Sequence, residues 1–382
     1  MKKYLIIILL VSTLLASSIA SAEYRETVPN PFPAYEGIEY TNALIRSRGL
    51  DWTAGETSVS RLSPSEQKAL LVQDRPESDV EVGEFHSEQR HPMAIDWRDK
   101  DGDNWLTSVK DQLACGSCWA YSAVTVVESR VKIGLNNSSY SIDLSEQDLV
   151  SCSSAGNCED GGWEGDALEY IKNTGIASEE CFPYNATDQS CGNKCENWED
   201  DAVKVLNYSM LPASTTEIKQ AISDYGPVTV YMHVFADFLN YTSGVYAWVT
   251  GGPLGWHAVS IVGYDESGEY WIAKNSWGTG WGEDGYFRIN YSENVMDRNG
   301  WTPLVLGEFF LDESYVVTSN DIDLDSIDDA TDNCPYATNI DQIDQDNDSM
   351  GDSCDIDLDG DTLNNTIDNC PFVANLDQAD LD

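Results

Sequence analysis

The stretch "QLACGSCWAYS", residues 112–122, sets Cys115 and Cys118 three apart at the point where a helical pattern begins. Such a C-x-x-C pair is a redox couple, half of a metal site, or a disulfide cysteine beside a nucleophile. A redox pair sits in a βαβ unit, and no parallel βαβ series is visible. A zinc site wants a second pair at matching spacing, and Cys152 with Cys158 in "CSSAGNC" is too widely spaced. The third reading gains from position. "CWAYSAVTVVESRVKI" carries Ala120, Val124, Val127 and Val131 at helical spacing, so Cys118 opens a helix. The free N–H groups of a helix N-terminus favour the thiolate, which is the nucleophile.

A thiolate catalyst needs a general base, and the chain has four histidines. His86 and His91 precede or border the cysteine-rich region, and His233 lies inside an alternating strand pattern. His257, in "GWHAVSIVGY", opens a strand and is the candidate. A third group must hold the imidazole. Asn275 in "AKNSWGTGWGEDGY" lies on the next strand pattern, flanked by Trp277, which can shield an Asn–His hydrogen bond from water.

The 382 residues allow two or three compact units. "MKKYLIIILLVSTLLASSIASA" has a basic start, a short apolar run and an A-x-A ending, as a secretory signal over 1–22 does. No other segment is apolar enough to span a bilayer, and ten cysteines suit an oxidising compartment. The formal charge of −45 disfavours nucleic acid and anionic membranes as partners. Residues 23–92 hold no cysteine and one helix signal, "SPSEQKALLVQ", with Ser63 as N-cap and Pro64 at the first position. From 93 to 317 the chain is rich in Trp, Tyr, Gly and Cys. Its first half reads as helices, its second as strands ("PVTVYMHVF", "HAVSIVGYDE", "EYWIAKNSW", "GYFRINY"), which gives an α+β domain with a cleft between the halves.

"QLACGSCWAYS", "WHAVSIVGYDE" and "KNSWGTGWGEDGYFRI" together resemble the three active-site blocks of the papain-like (C1 family) cysteine peptidases. The resemblance implies a two-lobed fold, a helical lobe beside an antiparallel, β-barrel-like lobe. It implies Cys118 as nucleophile, His257 as base, Asn275 as its orienting partner, and Gln112 with the Cys118 N–H as the oxyanion hole. One such donor is typically worth about 10²–10³ in rate. Cys118 and His257 are expected to rest as thiolate and imidazolium. "CEDGGW" is one residue longer than the family's Cys-Asn-Gly-Gly, and Gly162 is the glycine expected on the substrate backbone. Trp163, Tyr231 and Trp256 resemble the main specificity pocket, with Trp119 and Trp277 as walls, and ordinary core aromatics are the alternative. The resemblance pairs Cys115 with Cys158 and Cys152 with Cys191, which leaves Cys181 for Cys195. Residues 23–92 stand where family propeptides do, running through the cleft as the enzyme's own inhibitor, with "LDWTAGETSVSRLSPSE" as the docking part.

Residues 319–382 contain 19 Asp and no Lys, Arg or Glu. The tail repeats at 36 residues, matching Asp321 with Asp357, Asp332 with Asp368 and Cys334 with Cys370. Loops with Asp at relative positions 1, 3, 5 and 12 can wrap oxygen ligands round Ca²⁺. Three fit: Asp321, Asp323, Asp325 and Asp332; Asp344, Asp346, Asp348, Asp352 and Asp355; Asp357, Asp359, Asp361 and Asp368. "TDNCPYATNIDQIDQDNDSMGDSCDIDLDGD" resembles thrombospondin type 3 repeats, and 318–382 is expected to be such a calcium-ordered, incomplete array with little regular secondary structure.

These readings converge on a secreted cysteine endopeptidase acting on proteins or peptides, made as a zymogen, with a calcium-binding tail that meets a cell-surface or matrix partner. The alternative is a calcium-dependent adhesion protein whose peptidase-like domain does no chemistry. A scaffold has no physical need for Cys118, His257, Asn275 and Gln112 together, which weighs against it.

Overall fold

The computed structural model describes residues 35–72, 91–211, 214–291, 308–310, 316–318, 327, 331–334, 339–346, 348–363, 365 and 368–375. The expected signal over 1–22, His86, and the ligands Asp321, Asp323 and Asp325 lie outside them.

Helices dominate the chain up to the middle of the enzyme region. Two belong to the N-terminal segment, α1 (Ile38–Ser47) and α2 (Pro64–Ala69). A reciprocal cap opens α2, in which the Ser63 N–H donates to Glu66 (2.8 Å) and the Glu66 N–H to Ser63 Oγ (3.3 Å). Then come α3 (Cys118–Gly134), α4 (Glu146–Cys152) and α5 (Glu164–Asn173). Ser145 starts α4 by accepting the Asp148 N–H at 3.0 Å. Helix α6 (Thr215–Asp224) precedes the sheet strand Val228–Phe235.

The sheet has eight strands among the described residues. Its hub is Pro253–Asp265, which pairs antiparallel with Val228–Phe235, with Tyr270–Lys274 and with Ala94–Asp96. Tyr286–Asn290 continues it antiparallel, and the edge strand Val245–Tyr246 is parallel. Gly263 is required at the triple crossing, because a Cβ there would fall 2.3 Å from the Ile95 carbonyl oxygen.

Two apolar cores follow. One unites the sheet with Ile45, Trp52, Val59, Leu70 and Leu71 of the N-terminal segment, so that segment is packed and hydrogen-bonded, not merely tethered. The other surrounds α3, which is buried along nearly its whole length and therefore lacks the single apolar face of a surface helix. Its buried Glu128 is paired. Lys110 Nζ lies 3.4 Å from Glu128, 2.9 Å from Glu146 and 2.7 Å from Asp143, and Glu128 also accepts from the Thr107 hydroxyl and the Leu144 N–H. Burial opposes the charge on Lys110, but Glu146 and Glu128 outweigh it and hold its pKa above the usual lysine value.

Bridges link Cys115 with Cys158, Cys152 with Cys191 and Cys181 with Cys195, the three expected pairings, and Cys334 with Cys354 in the tail. Cys118 and Cys370 are free.

Leu149 on α4 is fully buried in the α3 core. Leu149→Ala should lower unfolding free energy in urea by about 2–5 kcal/mol. A loss below about 1 kcal/mol would mean that this half is not packed as described.

Candidate active site

Cys118 is the first residue of α3 and is fully buried. Its Sγ accepts the N–H of Ala258, the residue after His257, at 3.3 Å. The helix start and the hub strand are fastened one layer deeper by hydroxyls. Ser122, one turn along α3, bonds Thr229 of the neighbouring strand and Ser260 of the hub (3.1 Å). His257 and Ala258, like Ser260, are thereby fixed relative to the thiol.

Asn275 follows the strand Tyr270–Lys274, and its Oδ1 accepts a hydrogen bond from His257 Nε2 at 2.7 Å. The Ser276 N–H also donates to that oxygen (2.8 Å), which marks it as the acceptor and leaves the proton on Nε2. Trp277 covers the pair, its ring 4.6 Å from the imidazole and 1 % exposed. His257 Nδ1, with its lone pair, is left to take a proton from a thiol.

Gln112 is held at both ends of its amide. Oε1 accepts from Ser276 Oγ (2.7 Å), while Nε2 donates to the Cys115 carbonyl (2.8 Å) and to the Leu70 carbonyl (3.1 Å). Tyr184 fixes the loop between Gln112 and Cys118 by bonding the Gln112 carbonyl (2.8 Å) and Ser117 (2.7 Å).

The Leu70 contact shows what fills the cleft. Helix α2 delivers Leu70, Leu71 and Val72 onto the site, all at most 4 % exposed. Val72 and Trp256 exchange two backbone hydrogen bonds, at 2.9 and 2.7 Å. Residues 50–66 pack against the sheet half. Thr53–Ala54 pairs with Tyr241–Ser243, Gly55 bonds Asn240, and the Ser58 N–H reaches the Gly280 carbonyl at 3.0 Å. The segment that covers the thiol lies just beyond that stretch.

This cover changes the charge state from the expected ion pair. Burial pushes the Cys118 thiol up to about 12, opposed by the Ala258 N–H and reinforced by the charge of Glu164. Burial pushes His257 down to about 4, against the raising effects of Asn275 and the Leu70 carbonyl. With residues 70–72 seated, the two are a neutral thiol and a neutral imidazole at neutral pH.

Among the remaining site residues, Gly162 is buried. The Trp119 ring fills the space a Cβ would need (2.5 Å), and its carbonyl accepts the Tyr231 hydroxyl. Gly161, at φ +83°, is the glycine beneath Val72. Trp163 and Tyr231 stack at 5.5 Å, and half-buried Trp256 lies against His233 (3.6 Å). Sequence reasoning missed Leu70–Val72, Tyr184, Ser276 and Glu164. Ser276 stood inside a quoted block, and the cover was visible as an apolar run after a capped helix. Glu164 read as an ordinary charge at a helix start.

In the tail, Asp344, Asp346 and Asp348 bring carboxylate oxygens within 4.8 Å of one another, as do Asp357, Asp359 and Asp361. The two loops repeat their turns: the Ser349 N–H donates to Asp344 (3.1 Å) and the Thr362 N–H to Asp357 (2.7 Å). Asp352 accepts from the Gln345 N–H, Asp355 from the Asp357 N–H, Asp368 from the Cys370 N–H and Asp332 from the Cys334 N–H. Asp357 Oδ1 and Asp359 Oδ2 are buried and accept no hydrogen bond, which fits a hard cation.

Residues 91–301 match the family model of papain family cysteine proteases, and 319–342 and 343–378 match that of the thrombospondin type 3 repeat. The chain is 34 % identical over 284 residues to "Cathepsin B-like CP3" of Giardia intestinalis, covering 70 % of this chain and 92 % of that protein. Among solved structures it resembles procathepsin L2 from Tenebrio molitor larval midgut (TM-score 0.61, 31 % identity, 72 % of this chain and 88 % of that one). It also resembles proCathepsin B S9 from Trypanosoma congolense (TM-score 0.61, 26 % identity, 71 % and 95 %). With the site's geometry and these matches together, the chain belongs to the papain family of cysteine proteases, a cysteine endopeptidase that carries thrombospondin type 3 repeats towards its C-terminus.

Proposed function

We propose that Cys118, His257, Asn275 and Gln112 hydrolyse peptide bonds in a secreted enzyme made as a zymogen, and that the tail binds Ca²⁺. The observation that carries the catalytic reading is the His257–Asn275 bond under Trp277, in the same strand register that puts the Ala258 N–H on the Cys118 sulfur. The thiolate attacks the scissile carbonyl carbon. Gln112 Nε2 and the Cys118 N–H stabilise the oxyanion, and imidazolium His257 gives its proton to the leaving amine. His257 then takes a proton from water, which attacks the thioester and releases the carboxylic acid with the thiol restored.

Residues 35–72 act as inhibitor by two physical means. The Leu70 carbonyl occupies the Gln112 donor, and burial suppresses the charged pair. Secretion rests on the leader pattern at 1–22. No helix among the described residues is long and apolar enough to cross a membrane. In the tail, Asp344, Asp346 and Asp348, and Asp357, Asp359 and Asp361, would hold the cations, with Asp332, Asp352, Asp355 and Asp368 completing the loops. Calcium there supplies charge neutralisation and order, and takes no part in catalysis.

After removal of the N-terminal segment, Cys118→Ala should abolish peptide hydrolysis while leaving the circular dichroism spectrum intact. Turnover in that variant would refute the assignment. In a Cys370→Ser background, the uncut precursor should react with iodoacetamide slowly at pH 7, roughly tenfold faster per added pH unit as the thiolate forms. The cut enzyme should react fast at pH 7. Equal rates at pH 7 would show that the cover does not suppress the thiolate. Calcium titration of the full chain should raise protease resistance within 319–382, and chelator should reverse it. Cleavage there that is indifferent to calcium would remove the cation assignment.

A further inference from the structure

The loop from Gln112 to Cys118 carries both groups proposed above to meet the oxyanion, the Gln112 amide at one end and the Cys118 main-chain N–H at the other. Tyr184, from a distant part of the chain, spans these two ends with a single oxygen. Its hydroxyl donates to the Gln112 carbonyl at 2.8 Å and meets Ser117 Oγ at 2.7 Å. A phenol has one proton and a carbonyl can only accept, so the Ser117 hydroxyl is the donor in the second bond. Ser117 is fully buried, and the peptide bond that follows it bears the Cys118 N–H. The main chain at one donor is thus tied to the residue that precedes the other.

Tyr184 is itself placed by groups outside that loop. Its N–H donates to Glu179 (2.8 Å), the N–H of Asn185 donates to Gln147 Oε1 (2.9 Å), and its ring stands edge-on to Tyr121 at 5.1 Å. The bridges Cys181–Cys195 and Cys152–Cys191 pin the stretch on which it sits. Burial pushes the phenol above its ordinary value, opposed by the Ser117 bond and reinforced by the charge of Glu146, so the hydroxyl keeps the proton it donates. These bonds are separate from those that hold the reacting pair, where Cys118 Sγ accepts the Ala258 N–H and His257 meets Asn275.

We propose that Tyr184 is a positioning residue for the oxyanion hole, holding the Gln112 and Cys118 donors at the spacing that the tetrahedral intermediate needs. The inference rests on the cysteine-protease reading above and adds a residue that acts through the two donors and not through the thiol or the imidazole. Loss of one oxyanion donor typically costs about 10²–10³ in rate, and a misplacement of ~1 Å costs about 10².

The test uses the full chain in a Cys370→Ser background, activated by removal of the N-terminal segment, and reads two reactions of the same sulfur. Peptide hydrolysis passes through an oxyanion, whereas alkylation by iodoacetamide displaces iodide and forms none. Tyr184→Phe keeps the ring and removes the hydroxyl. It should lower kcat by about tenfold or more, with KM and the alkylation rate at pH 7 within about twofold of wild type. Ser117→Ala removes one of the two bonds and should lower kcat by about threefold or more, again with alkylation unchanged. An unchanged kcat in either folded variant overturns the proposal. So does a parallel fall in kcat and alkylation, which marks a disturbed thiol and imidazole. Ser117→Ala decides where Tyr184→Phe does not fold. Failure of the underlying reading looks different, because wild type then cleaves no peptide and iodoacetamide leaves Cys118 unlabelled.

Discussion

The register between the start of α3 and the strand Pro253–Asp265 is the constraint on which the rest depends. Cys118 and His257 come from halves of the chain with separate cores, so nothing local brings them together. The Ala258 N–H on the Cys118 sulfur sets the register at the surface of the seam, and the hydroxyls of Ser122, Thr229 and Ser260 set it one layer below. Hydroxyls suit this place, because directional bonds resist sliding where apolar contacts would tolerate it. Lys110 and its three carboxylates, Glu128 of α3 among them, brace that helix as well. Removing one partner there would strand a buried charge, so the cluster holds the helix in one position.

Desolvation is the second organising force. A thiolate–imidazolium pair is stable only where water or fixed dipoles solvate it, and the three residues Leu70–Val72 replace that water with leucine and valine carbon. The backbone of this cover is satisfied by Trp256 and Gln112, so the cost of burying its polar groups is met by the enzyme's own main chain and amide. The segment thus satisfies its own backbone on the groups proposed above to meet a substrate.

Much of this was legible in the sequence, for identifiable reasons. The strand and helix assignments rested on periodicity, and the elements at Cys118–Gly134, Val228–Phe235 and Tyr270–Lys274 form where expected, although burial there extends to nearly every face. That Gln112, Cys118, His257 and Asn275 come together was legible, because few side chains are expected in the proposed roles of base, orienter and oxyanion donor. Ser63 announced its helix through its own capping chemistry. The contacts of Leu70, Val72 and Tyr184 were not legible, since their roles depend on which distant backbone they meet. The charge state was not legible either. A helix N-terminus argues for a thiolate, and only the three-dimensional cover brings in the burial that raises the Cys118 thiol.

That outcome bears on how the chain survives its own folding. Disulfide exchange proceeds through thiolates, and Cys118 lies three residues from a bridged cysteine and in the same lobe as two other bridges. A reactive sulfur there would attack the bonds that shape its surroundings, or be lost to oxidation in the compartment that forms them. A sulfur kept protonated under the cover would let one chain close four bridges and still keep the Cys118 thiol unspent. A segment that keeps this sulfur neutral would guard the enzyme in the redox sense as well as the proteolytic one.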